Sequence, residues 1–259
     1  MMKKAINEVY SKETLKKRKF KRSLKKVVFF MIFMVAILIT VAIKAPFFNI
    51  STIFVENNKI VSNDEILQKS PIKTGHNIFY FNKNNIIKSI QEIPYIEKVK
   101  IERQLPKTII LKVKEREAFF YGIFDKTYYV FDKDMRVLEK RDNLEGLNLV
   151  NVTGFDYSNV EVGHTIQDES VRKNDLIKEI SKLLAANVST IQFTSINIED
   201  PLSIKFGYKD IEIRIGTEDG LKEKLNKVLN ILIDREDVRN GKGYIDVSFN
   251  GNPVVYLES

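Results

Sequence analysis

Residues 93–117 read IPYIEKVKIERQLPKTIILKVKERE, a pattern that predicts a β-hairpin. The second half, residues 108–115, alternates in the way of a strand that has one buried face and one wet face. The first half, residues 96–103, also carries apolar side chains at intervals. Residues 104–107 (QLPK) predict the turn between them, because proline has no N–H to donate to a strand ladder. The side chains expected on the buried face of the second strand are Ile109, Leu111 and Val113.

The residues before this hairpin predict one more strand and two helices. Ile50–Glu56 alternates as a strand does, and turn-like residues follow it. Ser62 and Glu65 have the spacing of a capping box, which predicts the start of a short helix. Residues 83–91 carry isoleucines at helical spacing and predict a second helix. We therefore expect residues 45–117 to fold as a small domain in the order strand, helix, helix, strand, strand.

An apolar run precedes this domain. Val27–Ile43 contains seventeen residues without a charge. A helix of that length is about 25 Å long, slightly short of the ~30 Å hydrocarbon core, and the flanking lysines can extend to the membrane surface. A buried helix of a soluble protein explains the run less well, because such a helix keeps a polar face. We predict a transmembrane helix over residues 27–44.

The charge balance changes across this run. Residues 1–26 carry eleven Lys or Arg and two acidic residues, a net charge of +9, whereas the 216 residues after the run carry a net charge of −1. Basic residues beside a membrane span stay in the cytoplasm. This predicts a single-pass type II protein of the cell membrane, with a cytoplasmic basic tail at 1–26 and residues 44–259 outside.

The amino-terminal region fits neither a cleaved signal peptide nor a nucleic-acid-binding arm as well as it fits a membrane anchor. A cleaved signal peptide is disfavoured by the length of the basic region and by the exit Ala42-Ile43-Lys44-Ala45-Pro46, which lacks a small-x-small cleavage site. A nucleic-acid-binding arm is disfavoured because the charge abuts the apolar run and no aromatic-rich nucleic-acid module follows. An uncleaved anchor in the cytoplasmic membrane, with no nucleic-acid partner, is the prediction.

Residues 118–259 have a different pattern, with many short strands and two helices. The predicted strands are Phe119–Phe124, Thr127–Phe131, Arg136–Leu138, Leu147–Val152, Ile191–Ile198, Leu202–Phe206, Ile211–Ile215 and Tyr244–Phe249. The predicted helices are Asn174–Ala186 and one that follows an N-cap at Thr217. The predicted fold class is α+β: a transmembrane helix, a βααββ domain, and a mixed α/β C-terminal domain with a mainly antiparallel sheet.

Candidate catalytic and metal-binding residues are few. The chain has no cysteine, and its two histidines, His76 and His164, each follow a glycine in a turn-like stretch. The close acid pairs Asp132/Asp134 and Glu236/Asp237 fall in a predicted turn and a charged loop. We interpret them as solvated residues and not as a glycosidase pair. No catalytic, cofactor-binding or metal-binding residue is predicted, and the chain is interpreted as a binding protein.

The arrangement resembles the FtsQ/DivIB family of bacterial cell-division proteins, and the βααββ unit resembles a POTRA domain. The residues that carry the resemblance are Gly75-x-Asn77-x-Phe79, Pro94-Tyr95, Arg103, Leu105-Pro106, Glu115-Arg116 and Tyr244–Phe249. Two positions depart from the family pattern. Asn57-Asn58 stands where the family has a glycine in the turn after the first strand, and Ser248 stands where some members carry Arg.

The resemblance implies a non-enzymatic bitopic scaffold of the divisome at the division septum. The implied partners are the FtsB/DivIC-like and FtsL-like division proteins, with a further link to the septal peptidoglycan synthase. Two alternatives from different functional classes remain open. One is a membrane-anchored cell-wall hydrolase. The other is a POTRA-containing transport or assembly component, although such chains end in a long transmembrane barrel.

The last predicted strand is the candidate partner-binding site. A terminal strand is often an edge of its sheet, and an edge presents backbone groups that a partner segment can pair with. The candidate residues are Tyr244, Ile245, Asp246, Val247, Ser248 and Phe249, with Phe249 as the aromatic anchor. In the alternative, Pro253–Leu257 folds back and covers this edge. At the other end of the domain, Glu115-Arg116 predicts either a hinge-fixing ion pair or a solvated charge run.

Overall fold

The computed structural model describes residues 24–258. Its first element is helix α1, Leu24–Lys44, whose mean hydropathy is 2.8 and whose apolar stretch is not buried by the rest of the protein. Its 21 residues span about 32 Å, close to the ~30 Å hydrocarbon core of a bilayer. Within the described residues, α1 is the single candidate membrane span. Residues 1–23 of the predicted cytoplasmic tail lie outside the described residues.

A three-stranded sheet and two helices follow α1. After a short 3₁₀ turn at Pro46–Phe48, the elements are β1 Thr52–Glu56, α2 Asn63–Lys69, α3 Lys83–Gln91, β2 Ile96–Gln104 and β3 Thr108–Glu115. The strand order is β1-β3-β2, with β1 parallel to β3 and β2 antiparallel to it. The predicted order of strand, helix, helix, strand, strand is confirmed.

Local sequence signals act here as expected. The Ser62 hydroxyl accepts the N–H of Glu65 at 3.2 Å and caps α2. The Asn82 side chain caps α3, which buries Ile86 and Ile90. Leu111 has no exposed surface and belongs with Ile109 and Val113 to the core of this unit, which confirms the predicted register of β3.

The remainder of the chain forms a nine-stranded sheet with three helices. The strands are β4 Phe120–Phe124, β5 Thr127–Phe131, β6 Val137–Arg141, β7 Val150–Thr153, β8 Ser195–Asn197, β9 Ile204–Tyr208, β10 Ile211–Gly216, β11 Gly243–Asp246 and β12 Val254–Leu257. The helices are α4 Val171–Ala185, α5 Leu221–Asp234 and α6 Glu236–Arg239. The order across the sheet is β12-β11-β10-β9-β8-β7-β4-β5-β6.

Five of the eight neighbouring strand pairs in this sheet are antiparallel and three are parallel. The mixed, mainly antiparallel sheet is therefore confirmed, and with it the α+β fold class. Helices α4 and α5 bury their apolar sides in the same cluster as the sheet, through residues such as Leu176, Ile180, Leu225 and Leu232. The core of the first unit is separate and is drawn from residues 50–113.

Several predicted elements differ from the structure. Of the predicted strand Ile191–Ile198 only Ser195–Asn197 is a strand, and Glu236 and Asp237 lie in α6 and not in a loop. Helix α5 begins after Gly220, which adopts φ +62° without a side-chain cap. The predicted cap at Thr217 is wrong, because its hydroxyl is paired instead with the Asp219 carboxylate at 3.0 Å. The predicted strand Tyr244–Phe249 ends early, at Asp246. The Asp246 carboxylate accepts both the N–H and the hydroxyl of Ser248, which turns the chain out of the strand.

The junction between the two units is held by Arg116. Its Nη1 donates to Asp132 Oδ2 at 2.7 Å, and the other oxygen of Asp132 accepts the N–H groups of Asp134 and Arg136. Asp132 is only 2% exposed, so its interpretation as a solvated turn residue is wrong. Asp132 can be buried because Arg116, from the first unit, supplies a donor, and a buried carboxylate requires compensating donors. An ion pair therefore lies at the hinge, as one of the two interpretations of Glu115-Arg116 predicted, but the acid that pairs with Arg116 is Asp132 and not Glu115.

The neighbouring residue Glu115 forms its hydrogen bonds within the first unit. Its carboxylate accepts the backbone N–H groups of Lys59, Ile60 and Val61 at 2.9–3.2 Å. It therefore closes the β1–α2 loop inside the first unit, while Arg116 reaches the second unit. A further contact at the junction is made by Tyr95, whose pKa is raised by burial and by a hydrogen bond to Glu139 on β6.

Candidate partner-binding edge

Strand β11 is not the edge that the sequence predicted. It lies between β10, to which it is parallel, and β12, to which it is antiparallel. Residues 254–257 fold back onto β11, so the alternative arrangement is the one observed, and they occupy the end of the sheet. The physical basis is simple: a four-residue strand after a short turn is enough to take the free N–H and C=O groups of β11.

The six predicted site residues separate into three groups. Ile245 and Val247 are 0% and 3% exposed and belong to the core, so a partner cannot reach their side chains. Asp246 and Ser248 form the turn that ends the strand. Tyr244 lies on the outer face of the sheet, and Phe249 is 46% exposed in the connection to β12. The six residues therefore do not form one binding strip.

The outer edge of the sheet is formed by β12. The N–H of Glu258 donates to the carbonyl of Lys242 at 2.8 Å, so these two residues form a hydrogen-bonded pair. Opposed residues in an antiparallel ladder alternate between bonded and non-bonded pairs. In the observed register, this alternation points the N–H and C=O groups of Val255 and Leu257 away from β11. Their side chains pack against the core, whereas Val254 and Tyr256 are exposed.

The outer face beside this edge carries a row of aromatic and charged side chains. The rings of Tyr244 and Tyr256 stack with their centroids 5.3 Å apart. The guanidinium of Arg214 lies 3.9 Å from the centroid of the Tyr244 ring. Arg214 also donates to Glu212 at 2.7 Å, and this hydrogen bond lowers the pKa of Glu212 below its ordinary value. The stack and the cation–π contact hold the aromatic side chains in place next to the edge.

The opposite end of the sheet is covered by the chain itself. The N–H of Val137 on β6 donates to the His164 carbonyl at 2.9 Å, and the Val137 carbonyl accepts the N–H of Gly163 at 2.8 Å. A Cβ placed on Gly163 would lie 3.8 Å from Pro94 of the first unit. The segment at 163–166 and the POTRA-like unit together cover the start of β6, so β12 is the more open of the two edges of the nine-stranded sheet.

The sequence signal for the β12 edge is present but weak. Residues 254–257 (VVYL) are β-branched, aromatic or apolar, and they follow a turn-forming NGNP stretch. A run of four residues is too short to show whether it forms a strand by pattern alone. Of the two histidines, His164 lies exposed within 3.7 Å of the exposed Glu161, in the loop position that was predicted.

Known proteins match both the first unit by itself and nearly the whole chain. The family model described as "POTRA domain, FtsQ-type" matches residues 48–116. A cell division protein DivIB of Clostridium botulinum is 39% identical over 246 residues, which are 95% of this chain and 96% of that protein. The chain belongs to the FtsQ/DivIB family.

More distant relatives carry similar names. The DivIB protein of Bacillus subtilis is 28% identical over 71% of this chain and 66% of its own length. The cell division protein FtsQ of Syntrophotalea carbinolica is 23% identical over 83% of this chain and 76% of its own. A cell-division role and a POTRA domain therefore follow from membership of the family. The single candidate transmembrane helix among the described residues is α1.

Proposed function

We propose that this protein is a non-enzymatic scaffold of the divisome, and that an FtsB/DivIC-like partner adds a β-strand to the outer edge of β12. An FtsL-like protein joins the same assembly and links it to the septal peptidoglycan synthase. The protein acts from the division septum, with residues 1–26 in the cytoplasm and the region after α1 outside. The membrane-proximal POTRA-like unit helps to recruit it there.

The observation that carries the proposal is that β12 leaves backbone N–H and C=O groups pointing outward, whereas those of Val137 on β6 are paired with residues 163 and 164. Val255 and Leu257 point their N–H and C=O groups outward, and strand addition satisfies such groups while neighbouring side chains provide selectivity. Tyr256 and Val254 flank these groups on the exposed face, where aromatic and apolar side chains contribute most of the binding energy of an interface. Phe249, in the adjoining connection, is retained as a second aromatic contact.

Proline substitution separates an added strand from other modes of binding. Val255→Pro removes an outward N–H and leaves the inward bonds of β12 to β11 in place, since proline is tolerated where an edge N–H faces solvent. We expect it to weaken binding of the FtsB/DivIC-like protein by about 1–3 kcal/mol. Val255→Ala, which keeps the N–H, is the matched control. Binding is measured with the full-length protein in nanodiscs, alongside thermal melts.

Two results would contradict this proposal. Equal affinities for Val255→Pro and the unmodified protein, with unchanged melts, would place the partner elsewhere. Release of soluble fragments from peptidoglycan by the purified protein would instead favour the hydrolase alternative.

The orientation of the protein in the membrane is checked with single cysteines at positions 11 and 158 of this cysteine-free chain. An impermeant thiol reagent is expected to label only position 158 on intact cells.

A further inference from the structure

Exposed aromatic side chains surround the point where α1 enters the first unit. Phe47 is 60% exposed, and Phe79 and Tyr80, on the loop before α3, are 39% and 80% exposed. The ring centroids of Phe47 and Phe48 are 5.1 Å apart, and those of Phe48 and Phe79 are 5.4 Å apart, so the three rings are in contact. Three aromatic side chains from two chain segments therefore form one continuous surface.

The tip of the β2–β3 hairpin belongs to the same end of the unit. The Lys107 ammonium lies 5.9 Å from the centroid of the Phe47 ring, and the Lys107 carbonyl accepts the N–H of Ser51 at 2.8 Å. Leu105, next to the turn proline, is 57% exposed. We call Phe47, Phe79, Tyr80, Leu105 and Lys107 the membrane-end surface.

The membrane-end surface is coupled directly to the transmembrane helix. The Asn77 side chain donates to the carbonyl of Ala42, in the last turn of α1, at 2.9 Å. Its oxygen accepts the N–H of Phe79, also at 2.9 Å. Ala42 lies two residues before the end of α1, which is about 3 Å along the helix axis. The loop at 77–80 is therefore held beside the last turn of α1.

The segments that contribute to the membrane-end surface contain basic residues and no acidic ones. The segments 44–55, 66–91 and 103–114 contain no aspartate or glutamate. They carry Lys44, Lys73, Lys83, Arg103 and Lys107, among other basic residues. Arg103 is already engaged, since its Nε donates to the Ile78 carbonyl at 2.8 Å and its guanidinium lies over the Phe81 ring. The exposed lysines suit an anionic surface.

We propose that the membrane-end surface docks on the bilayer leaflet at the carboxyl-terminal end of α1. Phe47, Phe79, Tyr80 and Leu105 enter the interfacial layer, and the lysines lie among the headgroups. Tyr80 favours this layer because its ring is apolar and its hydroxyl can reach water, whereas Phe47, Phe79 and Leu105 can bury apolar surface at the boundary with the acyl chains. The consequence is a fixed orientation of the POTRA-like unit on the membrane. The unit would not swing freely on a linker.

The chain offers a clean test because it has no tryptophan. Tyr80→Trp and Leu105→Trp each introduce one fluorophore into the membrane-end surface, on two separate segments. Ile60→Trp is the matched control: Ile60 is 60% exposed, but it lies at the other end of the unit, where its N–H binds Glu115. Each full-length variant is reconstituted into vesicles of phosphatidylethanolamine and phosphatidylglycerol, with and without lipids that carry a spin label near the headgroup.

We expect the emission of Tyr80→Trp and Leu105→Trp to shift to shorter wavelength and to lose intensity in the spin-labelled vesicles. The emission of Ile60→Trp should change much less and should respond to iodide in the water. Equal lipid quenching at all three positions, or quenching of the two membrane-end probes by iodide alone, would overturn the proposal. The second pattern would mean that the surface faces water and is left for a protein partner. Thermal melts of each variant verify that the fold is intact, and the two probes do not depend on each other.

Discussion

The two ends of the nine-stranded sheet differ in what completes them. At β6, the segment at 163–166 pairs with the strand, and Tyr95 and Arg116 of the first unit pack beside it. At β12, the last strand of the described chain leaves the backbone groups of Val255 and Leu257 pointing outward. The difference supports the proposal that a partner binds at β12, and it gives the covered end at β6 a stabilising role.

Loss of Asp132 is expected to have the largest effect on the covered end. Asp132→Ala removes three hydrogen bonds and takes from Arg116, whose side chain is 18% exposed, its nearest acidic partner. Removing one member of a buried ion pair costs about 3–5 kcal/mol of unfolding free energy. Chemical denaturation of the full-length protein measures this change.

The neighbouring acid is the matched control for that change. Asp134 is 61% exposed and lies 3.9 Å from Arg116, so Asp134→Ala should stay within about 0.5 kcal/mol of the unmodified protein. At temperatures where Asp132→Ala is still folded, its affinity for the β12 partner should be unchanged. Equal destabilisation by the two variants would contradict the account in which buried Asp132, and not exposed Asp134, stabilises the covered end. Lost affinity in a folded variant would mean that the two ends are not independent.

Tyr157 gives a smaller, pH-dependent prediction for the same half of the sheet. It is 5% exposed, its hydroxyl donates to the Val152 carbonyl at 2.8 Å, and its ring stacks on Phe131. Burial raises the pKa of Tyr157 above its ordinary value of 10.0. The unfolded chain therefore loses this proton at a lower pH than the folded protein does. The unfolding free energy falls as the pH rises above 10, and this contribution to the pH dependence is absent below that pH.

Replacement of Tyr157 by phenylalanine isolates this contribution. Tyr157→Phe should cost about 1 kcal/mol at neutral pH, through the lost hydrogen bond, and should make the decline above about pH 10 shallower. Some decline should remain, because burial also raises the pKa of Tyr95. An unchanged alkaline slope, measured by denaturation at a series of pH values, would show that Tyr157 does not ionise differently in the two states.

The contrast between the two edges also marks the limit of what the sequence alone predicted. The β2–β3 hairpin, the N-cap at Ser62 and the helix over residues 83–91 depend on local patterns, and they appear at or within a residue of the predicted positions. The predicted edge did not appear, because whether β11 is covered depends on pairing with residues that come later in the chain. The burial of Asp132 was missed for a related reason: its compensating partner, Arg116, comes from the other unit.

Hydrogen exchange of single backbone amides tests most directly whether β12 is the open edge. In the free protein, the amides of Val255 and Leu257 should exchange quickly, whereas those of Val137 and Gly163, which donate hydrogen bonds at the covered end, should exchange slowly. Adding the FtsB/DivIC-like partner should slow the amide exchange of Val255 and Leu257 and leave the exchange rates of Val137 and Gly163 unchanged. If Val255 and Leu257 are already as slow as Val137 in the free protein, or if the partner binds without slowing them, β12 is not the strand to which the partner adds.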